Sequence, residues 1–453
     1  MNRFALIAVA SVAGLAAAAF SPSAVRAQAA PLNDLPRHGV IGLVVAPLDP
    51  SKPGDPKTNP PSIKTVVTGG AGDAAGMQPG DIVRELDGHA VTSGPEFAAS
   101  IGRHLGGDTV TIKITRAGAD IEKKAVLKPR PYETSPDAEI LYSSVTAGGS
   151  RRRTIITHPK TSGRYPAVLF MGGLGCYSLD GALAQDTNYG PLLAALVKNN
   201  YVTMRVEKTG EGDSDDPGCT DEKATAQLEA DGYVAALGAL KNYSFVDPAK
   251  IFVFAHSLGP LIAALALPGQ TLRGVVVAET IGRSWFEYGT ENVRRQFALV
   301  GEPLDQVDDE VRQHAICAEH YFLAHENRDT VAALGQQCRD MIASNAGMSD
   351  AYMHQVGDIN IARAWKQIDA PALVIYGASD PVTSADESRY LTMIINSFRP
   401  GHATYTEIAG MGHNFAQYKT PADFMNQPHD QKTVYTQEFL PVVLDWLAKQ
   451  ARD

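Results

Sequence analysis

The 453-residue chain lacks an excess of positive charge: 40 Lys+Arg stand against 50 Asp+Glu, a formal net charge of −10. That balance offers no basic face for nucleic acid and no polybasic run for an anionic membrane. The densest cationic cluster, Arg151-Arg152-Arg153, reads as a solvated strand end. Glycine (41) and proline (28) occur at ordinary frequencies, which excludes collagen-like and low-complexity chains. Cysteine is scarce, with only Cys176, Cys219, Cys317 and Cys338 present. Cys317 and His320 have helical spacing but no second ligand pair nearby, so no metal site is expected. At roughly 100–200 residues per domain, the length accommodates two or three units.

Residues 1–30 differ from the rest. Arg3 precedes an apolar stretch over residues 4–20, and Val25-Arg26-Ala27 fits the small-x-small cleavage rule. A secretory signal over residues 1–27 is expected, cut after Ala27 with Ala29 as the second choice. As a retained anchor the Ala-rich stretch would sit at the lower limit of about 17–25 residues for a membrane span. Export places the mature chain in the periplasm or outside the cell, with no transmembrane segment after signal removal. In such an oxidising compartment the four cysteines can pair in three ways, and the sequence alone does not choose among them.

A first globular unit is expected over residues 33–130. An apolar island, Gly39-Val40-Ile41-Gly42-Leu43-Val44-Val45, is followed by strand-like VVTGGA and then by AGMQPGDIVRELDGH. Pro79-Gly80-Asp81 is a turn signal and Asp87-Gly88 a hairpin signal, with Ile82, Val83 and Leu86 between them. Gly94-Pro95 opens a helix expected to run to residue 105, and alternating TVTIKITRAG closes the unit. This order resembles a bacterial PDZ domain over residues 37–128. The resemblance implies that a peptide C-terminus adds as an edge strand, its carboxylate held by backbone N–H groups of Val40, Ile41, Gly42 and Leu43. The helix would form the far wall of that groove. The Pro-rich segment SKPGDPKTNPPS departs from a compact strand connection and could cover part of it.

From residue 138 to 453 strands alternate with helical stretches. Apolar runs at YPAVLFM, YVTMRV, KIFVF, GVVVA and PALVIYG argue a largely parallel, doubly wound sheet covered on both faces. Chemistry on such a sheet sits beyond the carboxyl ends of the strands. After KIFVF comes Ala255-His256-Ser257-Leu258-Gly259, a strand–turn–helix with Ser257 at its apex. Ala255 stands where the usual GxSxG pattern has its first glycine. Asp380 follows PALVIYG, and His413, flanked by Gly410 and Gly412, follows ATYTEI. Ser257 is the expected nucleophile, with His413 as its base and Asp380 holding the imidazole tautomer. Glu279, just past GVVVA, is the rival acid. The other histidines, His256 among them, carry no expected role.

The chain order Ser257, Asp380, His413 resembles that of the α/β-hydrolase superfamily, in the branch holding esterases, lysophospholipase-like enzymes and prolyl-oligopeptidase-like peptidases. The fold class implied is α/β: a mostly parallel α/β-hydrolase sheet with a helical lid insertion, preceded by the small β-rich PDZ unit. The resemblance puts the oxyanion-hole donors at Leu258 and at Gly173 or Leu174. It assigns a structural role, without chemistry, to the turn Glu207-Lys208-Thr209-Gly210-Glu211-Gly212-Asp213-Ser214. In that fold the strands preceding Cys176 and Cys219 are neighbours, so a 176–219 disulfide is implied beside the site, leaving Cys317–Cys338 to staple the insertion. The insertion is expected over about residues 283–366. Its Trp285, Phe286 and Tyr288 either line an acyl pocket or form the lid's own core, the second being the expectation.

The resulting expectation is an exported serine hydrolase acting on carboxylic esters, without metal or organic cofactor. A serine peptidase that recruits peptide C-termini through the PDZ unit is the alternative. A non-catalytic PDZ adaptor on a hydrolase scaffold is the third reading. A small-molecule ester or peptide substrate is the expected partner, and nucleic acid is not.

Overall fold

A computed structural model describes residues 35–48, 59–345, 347–427 and 433–452. The expected signal, residues 1–27, lies outside the described residues, as does most of the Pro-rich segment, residues 51–58.

The larger sheet is built from β1 (Ala138–Ala147), β2 (Ser150–Pro159), β3 (Tyr165–Met171), β4 (Val202–Val206), β5 (Val246–His256), β6 (Gly274–Ala278), β7 (Ala372–Gly377) and β8 (Ala403–Ile408). Its spatial order is β8-β7-β6-β5-β3-β4-β2-β1. Strands β3 to β8 run parallel, while β2 is antiparallel to both β1 and β4. Every residue of β4, β6 and β7 is buried, as expected of strands covered on both faces. The two-residue period of β5 shows how the covering works. Ile251, Val253 and Ala255 join the core under Ala226–Leu240, Gly259–Ala266 and the insertion. Phe252 and Phe254 join the opposite core, with Leu192, Leu193 and Val443. Burying each Val, Leu, Ile or Phe among these contributes roughly 1.5–3 kcal/mol.

The chain passes from β3 to β4 on one side and then returns to place β5 on the other side of β3. This reversal opens a crevice beyond the carboxyl ends of β3 and β5, the position where open α/β sheets bind ligands. Between β6 and β7 lies the insertion, whose helices run from Trp285–Leu299 to Ile361–Trp365. It is closed on itself by the Cys317–Cys338 disulfide. The second disulfide, Cys176–Cys219, ties the segment after β3 to the segment after β4.

The N-terminal sheet has the antiparallel order Leu43–Pro47, Pro61–Val66, Ile82–Leu86, Thr109–Arg116, Ala119–Val126. Ile63, Val83, Phe97, Val110, Ile112 and Ile114 form its core. The helix is Gly94–Gly102, with Ser93 accepting from the Glu96 N–H as its cap. It stops short of residue 105 because the chain there is used otherwise: the His104 carbonyl accepts from Gly39 N–H at 2.7 Å, and Leu105 bridges to His38.

Residues 37 and 38 anchor this unit to the larger domain. Arg37 is buried between Asp180, at 2.6 Å, and Asp213, with the rings of Tyr132 and Tyr142 4.6 and 4.8 Å from its guanidinium carbon. The His38 N–H donates to Asp213 at 2.8 Å. Asp213 also takes Arg153, which corrects the reading of the arginine triplet as a solvated strand end. Arg152 and Arg153 are fully buried on β2 and paired with Asp216 and Asp213; only Arg151 is exposed. Their partners lie some 60 residues along the chain, out of reach of any local pattern.

Candidate active site

Ser257 sits at the end of β5 with φ of 59°, the left-handed region, which costs a non-glycine residue about 1–2 kcal/mol. Its N–H donates to the Ala278 carbonyl at 3.0 Å, so the neighbouring strand holds the strained turn in place. Glycine is required two residues on, because a Cβ at Gly259 would lie 2.7 Å from the Met171 carbonyl oxygen. At position 255 there is room for the methyl of a fully buried alanine, hence the departure from GxSxG.

The structure brings the three residues singled out from sequence into one hydrogen-bonded chain. His413 Nε2 is 3.0 Å from Ser257 Oγ, and His413 Nδ1 is 2.9 Å from Asp380 Oδ2. Asp380 also accepts from Thr383 Oγ1 at 2.6 Å and from the Val382 N–H at 2.6 Å. Burial opposes ionisation of Asp380, yet His413 and these donors outweigh it, so the carboxylate lies well below the usual range. The arrangement can take the Ser257 proton onto His413 while Asp380 fixes the imidazole and stabilises its charged form.

Glu279 is also here, at the end of β6, within 4.8 Å of the nearest ligand atoms of Asp380 and His413. It is fully buried, and its carboxyl makes no well-formed hydrogen bond among the described residues, the polar groups it approaches being the Asp380 carboxylate and the Gly377 N–H. Burial, then repulsion from Asp380, pushes its pKa well above the usual carboxylate range, which favours the neutral acid. This geometry gives His413 to Asp380 rather than to Glu279.

His256 was passed over in the sequence, and the structure puts it under the site. Its ring hydrogen-bonds to Tyr189 Oη at 2.9 Å and to the His413 carbonyl at 2.9 Å, bracing the His413 loop. Burial lowers its pKa to about 3, keeping it neutral. Nothing in the local sequence signals this contact, which spans 157 residues.

Beyond β3, Gly173 faces Ser257 so closely that a Cβ there would lie 3.0 Å from the serine Cβ and 3.3 Å from its Oγ. Among the described residues, the N–H groups of Leu174 and Leu258 have no hydrogen-bond acceptor, whereas the Gly173 N–H is directed at the Tyr189 hydroxyl. Leu258 also heads the helix Gly259–Ala266, whose dipole favours negative charge at that end. A cavity of about 730 Å³ opens over Ser257, lined by Gly173, Leu174, His256 and His413 and by Trp285, Tyr288 and Phe297 of the insertion. The preference for Trp285, Phe286 and Tyr288 as core is thereby divided. All three pack on the main core, but Trp285 and Tyr288 also face the cavity and Phe286 does not.

Two groups of potential metal-ligating atoms occur among the described residues, and both are otherwise engaged. In Cys176–Glu211–Cys219 the sulfurs form the disulfide; in Glu279–Asp380–His413 both histidine nitrogens are hydrogen-bonded to Asp380 and Ser257. On the N-terminal unit, Gly42 has φ of 72°, and among the described residues the N–H groups of Ile41 and Gly42 have no acceptor. Val40 and Leu43 sit in the strands on either side, and Leu43–Pro47 is the outer strand of its sheet.

Fold and site together define a serine-hydrolase-like α/β domain preceded by a small β-rich module. The chain belongs to the alpha/beta hydrolase family, whose model matches residues 168–427, and the PDZ domain model matches residues 39–126. It is similar to esterase EstD of Thermotoga maritima, 21% identical over 299 residues, 65% of each chain. The chain thus matches slightly less than two thirds of that relative's length. Among solved structures it is similar to Est1E from Butyrivibrio proteoclasticus, with 13% identity, a TM-score of 0.43, and coverage of 69% of this chain and 99% of that one. It is also similar to a puromycin-hydrolyzing peptidase of Mycobacterium tuberculosis, with 13% identity, a TM-score of 0.45, and coverage of 76% and 44%.

Proposed function

We propose that the protein is an exported serine hydrolase that cleaves carboxylic esters. The observation that carries this is the unbroken chain from Ser257 Oγ to His413 at 3.0 Å and on to Asp380 at 2.9 Å, opening into the cavity beyond β3 and β5. Ser257 attacks the ester carbonyl as His413 takes its proton. The oxyanion develops between the Leu258 N–H and that of Leu174 or Gly173, donors worth about 2.7–4 kcal/mol of barrier each. His413 then returns the proton to the departing alkoxide, and water repeats the cycle on the acyl-enzyme. No step calls for a metal or organic cofactor.

A cavity of about 730 Å³ suits a small ester better than a folded polypeptide, and supports esters over protein substrates. The helices of residues 283–366 act as its lid. Residues 33–130 form a PDZ module that takes a peptide C-terminus on the N–H groups of the Ile41–Gly42 loop, which have no acceptor among the described residues. Export is supported by the signal-like residues 1–27 and the two disulfides, Cys176–Cys219 and Cys317–Cys338. Among the described residues no helix is long and apolar enough to cross a membrane.

Turnover of p-nitrophenyl esters of increasing chain length, beside aminoacyl-p-nitroanilides, tests the reading in wild type and Ser257→Ala. Ester cleavage that the substitution abolishes is expected. Anilide cleavage at comparable kcat/KM would replace this reading with the peptidase, and ester cleavage unaffected by Ser257→Ala would remove Ser257 from it.

A further inference from the structure

Behind the loop that faces Ser257 lies a buried cation with no part in the mechanism above. Lys208 follows β4 and is 1% exposed. Its Nζ donates to the Gly173 carbonyl oxygen at 2.9 Å and to Glu229 Oε1 at 2.6 Å. Glu229, equally buried, lies on the helix Ala226–Leu240 and accepts from the Tyr352 hydroxyl at 2.9 Å on its other oxygen. Tyr352 belongs to Asp350–Asp358, a helix of the insertion. Tyr177 supplies a second, longer contact to the Gly173 oxygen at 3.4 Å. Burying an ion pair is weak evidence for stability, because the desolvation cost is comparable with the attraction regained. Its placement on this carbonyl therefore calls for another account.

The Gly173 carbonyl and the Leu174 N–H belong to one planar peptide unit. An ammonium on the oxygen draws charge toward that end and strengthens the N–H at the other as a donor, an effect enlarged in low dielectric. It also stops the plane from rotating, at a glycine where rotation is otherwise easy. Among the described residues the Leu174 N–H has no acceptor, and Leu174 lines the cavity. We propose that Lys208 is a positioning residue for the oxyanion hole: it orients and polarises the Gly173–Leu174 peptide so that the Leu174 N–H meets the developing negative charge. Glu229 and Tyr352 link that peptide to the insertion, so closure over substrate and readiness of the hole are coupled. The inference rests on acyl transfer at Ser257, and it selects Leu174 over Gly173 as the second donor.

The test is p-nitrophenyl butyrate hydrolysis by wild type, Ser257→Ala, Lys208→Met and the double variant Lys208→Met/Glu229→Gln. The double variant removes both charges, leaves no unpaired buried carboxylate and keeps an acceptor for Tyr352. It is expected to melt within a few degrees of wild type, with KM within about threefold and kcat lower by about 10–100-fold. Affinity for an aryl trifluoromethyl ketone, which forms the tetrahedral oxyanion on serine, should fall by a similar factor. A merely structural lysine would not move kcat and analogue affinity together at constant KM. A folded double variant with wild-type kcat, or a loss carried by KM alone, overturns the inference. If neither Lys208 variant folds, Tyr352→Phe decides: about a threefold fall in kcat at constant KM is expected, and an unchanged kcat overturns it. Absence of Ser257-dependent turnover in wild type is a separate result, which removes the functional reading and this inference with it.

Discussion

Glu279→Gln separates the two carboxyl groups at the site. With the nearest atoms of Glu279 and Asp380 within 4.8 Å, two full charges would repel by about 3.5 kcal/mol at an effective dielectric of about 20. Asp380 has four hydrogen bonds from His413, Thr383 and Val382 to hold its charge, whereas Glu279 makes no well-formed one among the described residues. The balance of these contacts favours the proton on Glu279. Glutamine replaces a neutral acid with a neutral amide, so kcat for ester hydrolysis should remain within about threefold of wild type. Asp380→Asn, which presents the wrong tautomer to His413, should lose about 10⁴-fold by analogy with other serine hydrolases. The sign for stability follows from linkage. Because burial and Asp380 raise the folded-state pKa of Glu279 above its unfolded value, its contribution is greatest below pH ~4.5 and declines as pH rises. Glutamine does not titrate, so the difference in Tm, variant minus wild type, should grow in the variant's favour from pH ~4.5 to 8. Melting curves and steady-state kinetics across that range supply both readings. A Glu279→Gln variant as inactive as Asp380→Asn, or a Tm difference that shrinks with pH, would refute this division of roles.

Other outcomes follow from the same geometry. Gly173→Ala places a methyl about 3.0 Å from the Ser257 Cβ, so kcat should fall by at least tenfold with the melting temperature little changed. The Cys176–Cys219 and Cys317–Cys338 bridges close loops of 43 and 21 residues' separation, for which chain entropy gives about 4 and 3.4 kcal/mol. Dithiothreitol should therefore lower Tm substantially, and Cys317→Ser/Cys338→Ser should loosen the insertion and raise KM. A fluorescent peptide with a free C-terminus should bind the N-terminal unit and its C-terminally amidated form should not; equal anisotropy curves would remove the Ile41–Gly42 loop as a carboxylate site.

The sheet was legible because parallel strands buried on both faces appear as uninterrupted apolar runs, as in GVVVA and ALVIYG, where every residue is buried. Ser257 and Asp380 could be selected because each follows such a run at its carboxyl end, and His413 because it lies among small residues after the half-exposed edge strand ATYTEI. What escaped was pairing across long stretches of chain. Arg152 and Arg153 look like a surface charge run, and only their partners, about 60 residues away, make them interior. Lys208 sits in a turn assigned no chemistry, while its contacts lie 35 residues back at Gly173 and 21 ahead at Glu229. The division of Trp285, Phe286 and Tyr288 between core and cavity depends on how a helix is rotated over its neighbours, which local composition does not encode.

The central claim is that Ser257 is a nucleophile activated through His413, and a fluorophosphonate ester tests it without assuming a substrate. Intact mass and peptide mapping should show one adduct per chain, on Ser257, forming at least a hundredfold more slowly in His413→Ala and absent in Ser257→Ala. No adduct on the wild-type chain, or one on another residue that persists in Ser257→Ala, would contradict it.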